Sequence, residues 1–138
     1  MIAGASPERA WPFLEEADRL RLWLADRVEI EPGPPLVIRC ETSGRGGAVT
    51  REYAEVLEQS EPRRLALGFR ELDAGWTAST SLIFELTAVD GGCEVMVFQE
   101  GFQKLPLSLG LTVWERSRAR WTEALAKLSR AAAAMSPG

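Results

Sequence analysis

The chain has 138 residues, 46% of them hydrophobic and 26% charged, with a formal net charge of −4 and no histidine. This is the size and balance of one globular domain, residues 1–138, large enough to bury a core without staples. The acidic balance excludes a general nucleic-acid binder or adhesion to anionic membranes, and the missing histidine excludes Ser-His-Asp and Cys-His nucleophile systems and most catalytic zinc sites.

Met1–Ala5 carries neither a basic region nor a long apolar run, so it does not read as a signal peptide, and a short strand is expected there. Ser6-Pro7-Glu8 then marks a helix start: a capping hydroxyl, a proline suited to the first position, and an acid at the positive helix end. Ala10, Trp11, Phe13 and Leu14 give that helix an apolar stripe. A second short helix is expected from about Asp18, as its cap, to Ala25, with Leu20, Trp23 and Leu24 at helical spacing.

Alternation with period two takes over from Val28. Pro32-Gly33-Pro34-Pro35 is a turn, and Leu36–Glu41 reads as a strand with Leu36, Ile38 and Cys40 on one face. Strands are further expected over Ala48–Gln59, Leu65–Leu72, Trp76–Ala88 and Cys93–Phe102, the last two joined by an Asp90-Gly91 hairpin turn. A long helix is expected from about Pro106 to Met135. Trp114, Arg118, Trp121, Leu125, Leu128 and Ala132 form one stripe along it. Leu107, Leu109, Leu111 and Val113 alternate instead, and with Gly110 they leave a start as late as Val113 open. Strands in a run with helices at the ends make an α+β fold, and an antiparallel sheet with one buried face is the natural cover for such a helix.

Several segments resemble one family. Ala5-Ser6-Pro7-Glu8-Arg9-Ala10-Trp11 with Leu22-Trp23-Leu24 is similar to its opening helices. Glu55-Val56-Leu57-Glu58 with Pro62-Arg63-Arg64-Leu65 resembles its central hairpin. Phe84–Gly92 with Glu100-Gly101-Phe102 resembles the next hairpin, and Trp121, Leu125 and Leu128 its closing helix. The family is the START-related, birch-pollen-allergen-like helix-grip superfamily. Within it, the resemblance is to homologues of the activator of the ninety-kilodalton heat-shock-protein ATPase. It implies an α+β helix-grip: a curved antiparallel sheet of about six strands wrapped around a long C-terminal helix, with two short helices after the first strand. It also implies a cavity between sheet and helix for apolar or amphipathic molecules. Members include lipid and hormone carriers and polyketide cyclases, so the fold alone does not fix the function. Three departures stand out: the first strand is reduced to Met1–Ala5, which leaves a short sheet edge or a start further upstream; Gln99 occupies a position that is often histidine in the family; and Leu105–Val113 is unusually apolar.

Strand parity turns Leu82, Phe84, Leu86, Val95, Val97 and Gln99 inward, and the helix stripe adds Trp114, Arg118 and Trp121. Tyr53 is placed with them, its parity open. Tyr53, Leu82, Phe84, Val97, Gln99, Trp114, Arg118 and Trp121 are thus the candidate ligand-binding set, mostly apolar with a few polar anchors, as small-molecule sites are. Each has a plainer role available: core packing for the tryptophans, a solvated or salt-bridged head for Arg118, and internal hydrogen bonding for Gln99. Glu52 with Glu55, like the other carboxylate pairs, reads as a solvated face. Three functions are compatible with this pattern. The first is non-catalytic binding of a small apolar or amphipathic ligand. The second is a protein-interaction module, as a chaperone co-factor or a homodimer, using the sheet edge and Leu105–Val113. The third is a cyclase-like enzyme in which Tyr53 and Glu85 or Glu100 converge. No catalytic group, metal or cofactor is assigned. Cys40 and Cys93 are expected as buried, reduced thiols, and the cytoplasm as the compartment. No apolar stretch reaches the roughly 20 residues of a membrane span.

Overall fold

The computed structural model describes residues 2–135; Met1, the expected start of the first strand, lies outside them. Strand β1 (Ile2–Ala3) leads into three single-turn helices, α1 (Pro7–Ala10), α2 (Pro12–Glu15) and α3 (Ala17–Leu20). Six longer strands follow: β2 (Arg27–Glu31), β3 (Val37–Ser43), β4 (Val49–Ser60), β5 (Arg64–Glu71), β6 (Thr80–Val89) and β7 (Gly92–Glu100). The chain closes with the 29-residue helix α4 (Leu107–Met135). All pairings are antiparallel, in the order β1-β7-β6-β5-β4-β3-β2. The sheet is open and curved, with α4 along its concave face: an α+β helix-grip, as the resemblance implies.

Ser6 caps as expected: its hydroxyl accepts from the Arg9 amide at 3.3 Å, and Pro7 opens α1. The single helix expected next is broken at Pro12, which has no N–H to continue the ladder and starts α2 instead. The third helix begins at Ala17, with Glu16 at the cap position. Asp18, expected to cap, instead accepts from Arg21 at 2.6 Å. Hydrogen-bonded turns carry the chain on as far as Leu24. Trp76–Ser79 precede β6 as an irregular segment rather than opening the strand.

Helix α4 starts at Leu107, earlier than Val113. Gly110 permits this, because its amide donates to Pro106 at 2.8 Å, while a Cβ there would lie 2.8 Å from the Phe102 carbonyl oxygen. The helix can therefore pack onto the turn Phe102–Lys104 only with glycine at that point.

Ile38, Cys40, Ala54, Leu65, Leu67, Phe69, Leu82, Phe84 and Leu86 line the concave face and join Trp11, Phe13, Leu14 and Trp23 in one core. From α4, Trp121, Ala124, Leu128 and Ala132 enter it. Rings meet edge to face in a run: Trp23–Phe84 at 5.8 Å, Phe84–Trp121 at 5.8 Å, Trp121–Phe69 at 6.1 Å and Phe69–Trp76 at 6.1 Å between centroids. Cys40 and Cys93 are buried and unpaired. Among the described residues no helix is long and apolar enough to cross a membrane.

Candidate functional site: a cleft beside the C-terminal helix

Beneath Trp23 and Phe84 the interior is nearly filled: about 20 Å³ remains, walled by Leu20, Leu65, Leu67 and Leu82. That is room for one water at most, and the walls offer it almost no polar partner, so the space is dry. A roomier space lies at the open end, where α4 stands off the sheet. There a cleft of about 480 Å³ runs between β3–β5 and the helix. One wall is apolar, built from Phe69, Trp76, Leu24 and Val113; the floor and rim are charged.

The floor is built by cross-strand register. Glu52 on β4 stands directly opposite Glu71 on β5, both turned to the concave side. Glu52 is only 4% exposed. It survives there because Arg120 descends from α4 and grips it with both terminal nitrogens: Nη1 to Oε2, and Nη2 to Oε1 at 2.7 Å. Such a two-point pair offsets the cost of burying each charge better than a single contact does. The Arg120 guanidinium also lies 4.6 Å from the Trp121 ring centroid and 5.5 Å from that of Phe69. Around this pair the titrations move as the charges dictate. Burial, and then the Glu52 charge, push the Cys40 thiol up to about 12. Burial, and then Glu52, raise Glu71 above the ordinary carboxylate range, against the pull of Arg116 and Arg120.

The eight candidate residues divide into three groups. Leu82 and Phe84 face inward as expected, buried against the small interior void. Val97, Gln99, Trp114, Arg118 and Trp121 gather along a shallow groove of about 300 Å³ on the β7 side of α4. Tyr53 lies on the convex face, stacked between Arg39 and Arg70 at 5.1 Å each, its hydroxyl donating to Glu55 at 3.1 Å. Its neighbours Glu52 and Ala54 take the inward positions, which settles the parity that the sequence left open.

Two of the helix positions are corrected. The inward seam of α4 runs through buried Val113, half-buried Ser117, and buried Trp121, Ala124, Leu128 and Ala132, not through Trp114 and Arg118. Trp114 is 44% exposed, and the Arg118 guanidinium covers its ring at 5.1 Å. Stepping back from Trp121 by four residues rather than three rotates the stripe by less than half a turn, and the choice is made by the cleft. Where α4 faces an open space its inner face is polar, with Arg116, Ser117 and Arg120, so hydrophobicity picks the wrong side.

Gln99 has both ends of its amide engaged inside the fold. Its Oε1 accepts from the Trp121 indole at 2.9 Å, its Nε2 donates to the Thr80 hydroxyl at 2.9 Å, and Thr80 donates to the Phe69 carbonyl at 3.0 Å. The carboxylates considered for an enzyme sit elsewhere: Glu85 points outward, 3.9 Å from Arg64, and Glu100 is exposed at the end of β7. Tyr53, Glu85 and Glu100 do not converge. The reading of Glu52 as a solvated carboxylate is also corrected. Sequence gave one usable signal for it: Glu52 shares parity with Ala54, two residues along the same strand. Among the described residues no three metal-ligating side chains come together.

The family model for Activator of Hsp90 ATPase homolog 1-like proteins matches residues 4–133. The chain belongs to that family. A comparison with curated proteins gives no match. Among solved structures, a Rhodobacter sphaeroides protein superposes with a TM-score of 0.74 at 23% identity, over 96% of this chain and 88% of its own. A Chromobacterium violaceum protein gives 0.77 at 19% identity, over 96% and 93%. The di-domain ARO/CYC StfQ from the steffimycin biosynthetic pathway gives 0.64 at 14% identity, over 96% of this chain and 48% of its own. At these identities the likeness is one of fold alone.

Proposed function

We propose that this protein binds a small amphipathic molecule in the cleft between α4 and the sheet, without transforming it. The observation that supports this reading is the cleft's two-sided character: Phe69, Trp76 and Val113 on one side, the Glu52–Arg120 pair beneath. A pocket of this size with an apolar wall and a few fixed polar groups is the usual make-up of a small-molecule site. The ligand rests at the open end and does not penetrate the core, since the interior beyond Phe84 is already occupied by side chains. Native mass spectrometry of protein purified without detergent tests the reading. A retained mass above the bare chain, lost in Ser117→Trp and Thr50→Trp, is the expected result. A retained mass unaffected by both substitutions would place the ligand elsewhere.

The interaction reading is favoured by a different observation. Leu107 is 81% exposed, Leu111 60% and Trp114 44%, and with Phe102 they line an apolar groove of about 500 Å³ at the start of α4. If this face pairs two copies, sedimentation should show a dimer that Leu107→Glu with Leu111→Glu dissociates. A monomer at all concentrations removes that reading. A cyclase role on Tyr53, Glu85 and Glu100 has no support in their placement, although StfQ carries the ARO/CYC label.

A further inference from the structure

The cleft carries three cations from α4, Arg116, Arg120 and Lys127, against Glu52 and Glu71 from the sheet and Glu123 from the helix itself. These cations are not equivalent. Arg120 has both terminal nitrogens committed to Glu52, and Lys127 lies 3.6 Å from Glu123, one helical turn away. Arg116 lines the same cleft, acts on Glu71 through space, and makes no salt bridge among the described residues. A guanidinium with five donors and no fixed partner, beside an aromatic wall, is suited to a planar anion carried on an apolar body.

We propose that the cleft's ligand is an amphipathic carboxylate, its head on Arg116 and its apolar body against Trp76, Phe69 and Val113. This rests on the cleft-binding reading and adds the chemistry of the ligand. Glu71 is the group that would oppose such a head. From β4 it faces Glu52; from α4 it faces Arg116 and Arg120, with Glu123 and Lys127 further along the rim. An arriving carboxylate is a third negative charge beside Glu52 and Glu71, so it is accommodated best when Glu71 takes up a proton. Binding is therefore coupled to proton uptake: affinity rises as pH falls through the raised range of Glu71 and declines above it. An ammonium head gives the opposite sign, because Glu71 would then attract it.

The test uses three probes with one skeleton, naphthylacetate, naphthylethylamine and naphthylethanol, titrated calorimetrically into the full chain across the carboxylate range and up to neutral pH. The carboxylate is expected to bind most tightly. Glu71→Gln should tighten it at neutral pH by about fivefold, the scale of a half-exposed charge interaction, and flatten its pH dependence. Arg116→Gln should weaken it by a similar factor and leave the alcohol unchanged. If the amine binds most tightly and Glu71→Gln weakens it, or if all three bind alike, the carboxylate assignment is overturned while the cleft reading stands. If none binds, or if binding survives Ser117→Trp and Thr50→Trp, both fall together.

Discussion

The two partners of the pair beneath the cleft differ in how far they can retreat to water. Arg120 keeps 29% of its side chain exposed, Glu52 only 5%. Removing the arginine strands a carboxylate with nowhere to go, so Arg120→Leu is expected to lower the unfolding free energy by about 3 kcal/mol. Glu52→Gln leaves an arginine that can turn outward and an amide that still accepts, at about 1 kcal/mol. Urea titrations of the two variants should show this inequality; equal small losses would make the pair no more than a surface bridge. Cys40 offers a second test at the same scale. Its thiol rises from 9.0 to about 12 on folding, chiefly through burial. A raised pKa contributes stability that is whole below the unfolded value and is lost as pH climbs to the folded one, so the loss belongs between 9.0 and about 12. Cys40→Ala should flatten the alkaline limb of a stability–pH curve there, and neither native thiol should react with a disulfide reagent at neutral pH until denaturant is added.

Gly110 shows how an element can depend on an absent side chain. In an exposed helix interior, exchange of glycine for alanine gains about 1 kcal/mol. Here the added Cβ would meet the backbone carbonyl of Phe102 at 2.8 Å, which cannot swing aside as a side chain could, so either the helix or the turn must shift. Gly110→Ala is therefore expected to destabilise by about 1–2 kcal/mol net of propensity. A rise in melting temperature would show that α4 does not rest on that turn. The same region marks where sequence patterning stopped being informative. Val113 and Leu109 fit an alternating pattern as readily as a helical one, and Gly110 argues against both. Only the hydrogen bond back to Pro106 shows that the helix has already begun.

For the molecule as a whole, the succession of antiparallel strands and the closing helix were legible because hairpin turns and one-sided strands repeat clearly along the chain. The cleft was not. Its floor and the facing side of α4 are polar, and a polar residue facing a void looks in sequence like a polar residue facing solvent. Glu52 and Arg120 were hidden for that reason, and Trp114 was misplaced for the converse one: a large apolar group on an outward face. Because Trp121, Leu128 and Ala132 share one core with the sheet and the small helices, α4 should not melt separately. Far-ultraviolet dichroism, which is dominated by α4, and tryptophan emission should give coincident midpoints in urea; an earlier loss of dichroism would mark the helix as a detachable part. The edge-to-face run of rings has an optical consequence. Trp23 and Trp121 are buried, with their indole N–H groups bonded to the Phe13 carbonyl and to Gln99, whereas Trp76 stands half-buried at the cleft wall. Trp76 is the hydrated end of that row, and it is the end that an occupant would dry. Filling the cleft should therefore shift the emission toward the blue, giving the protein an intrinsic indicator of its own occupancy.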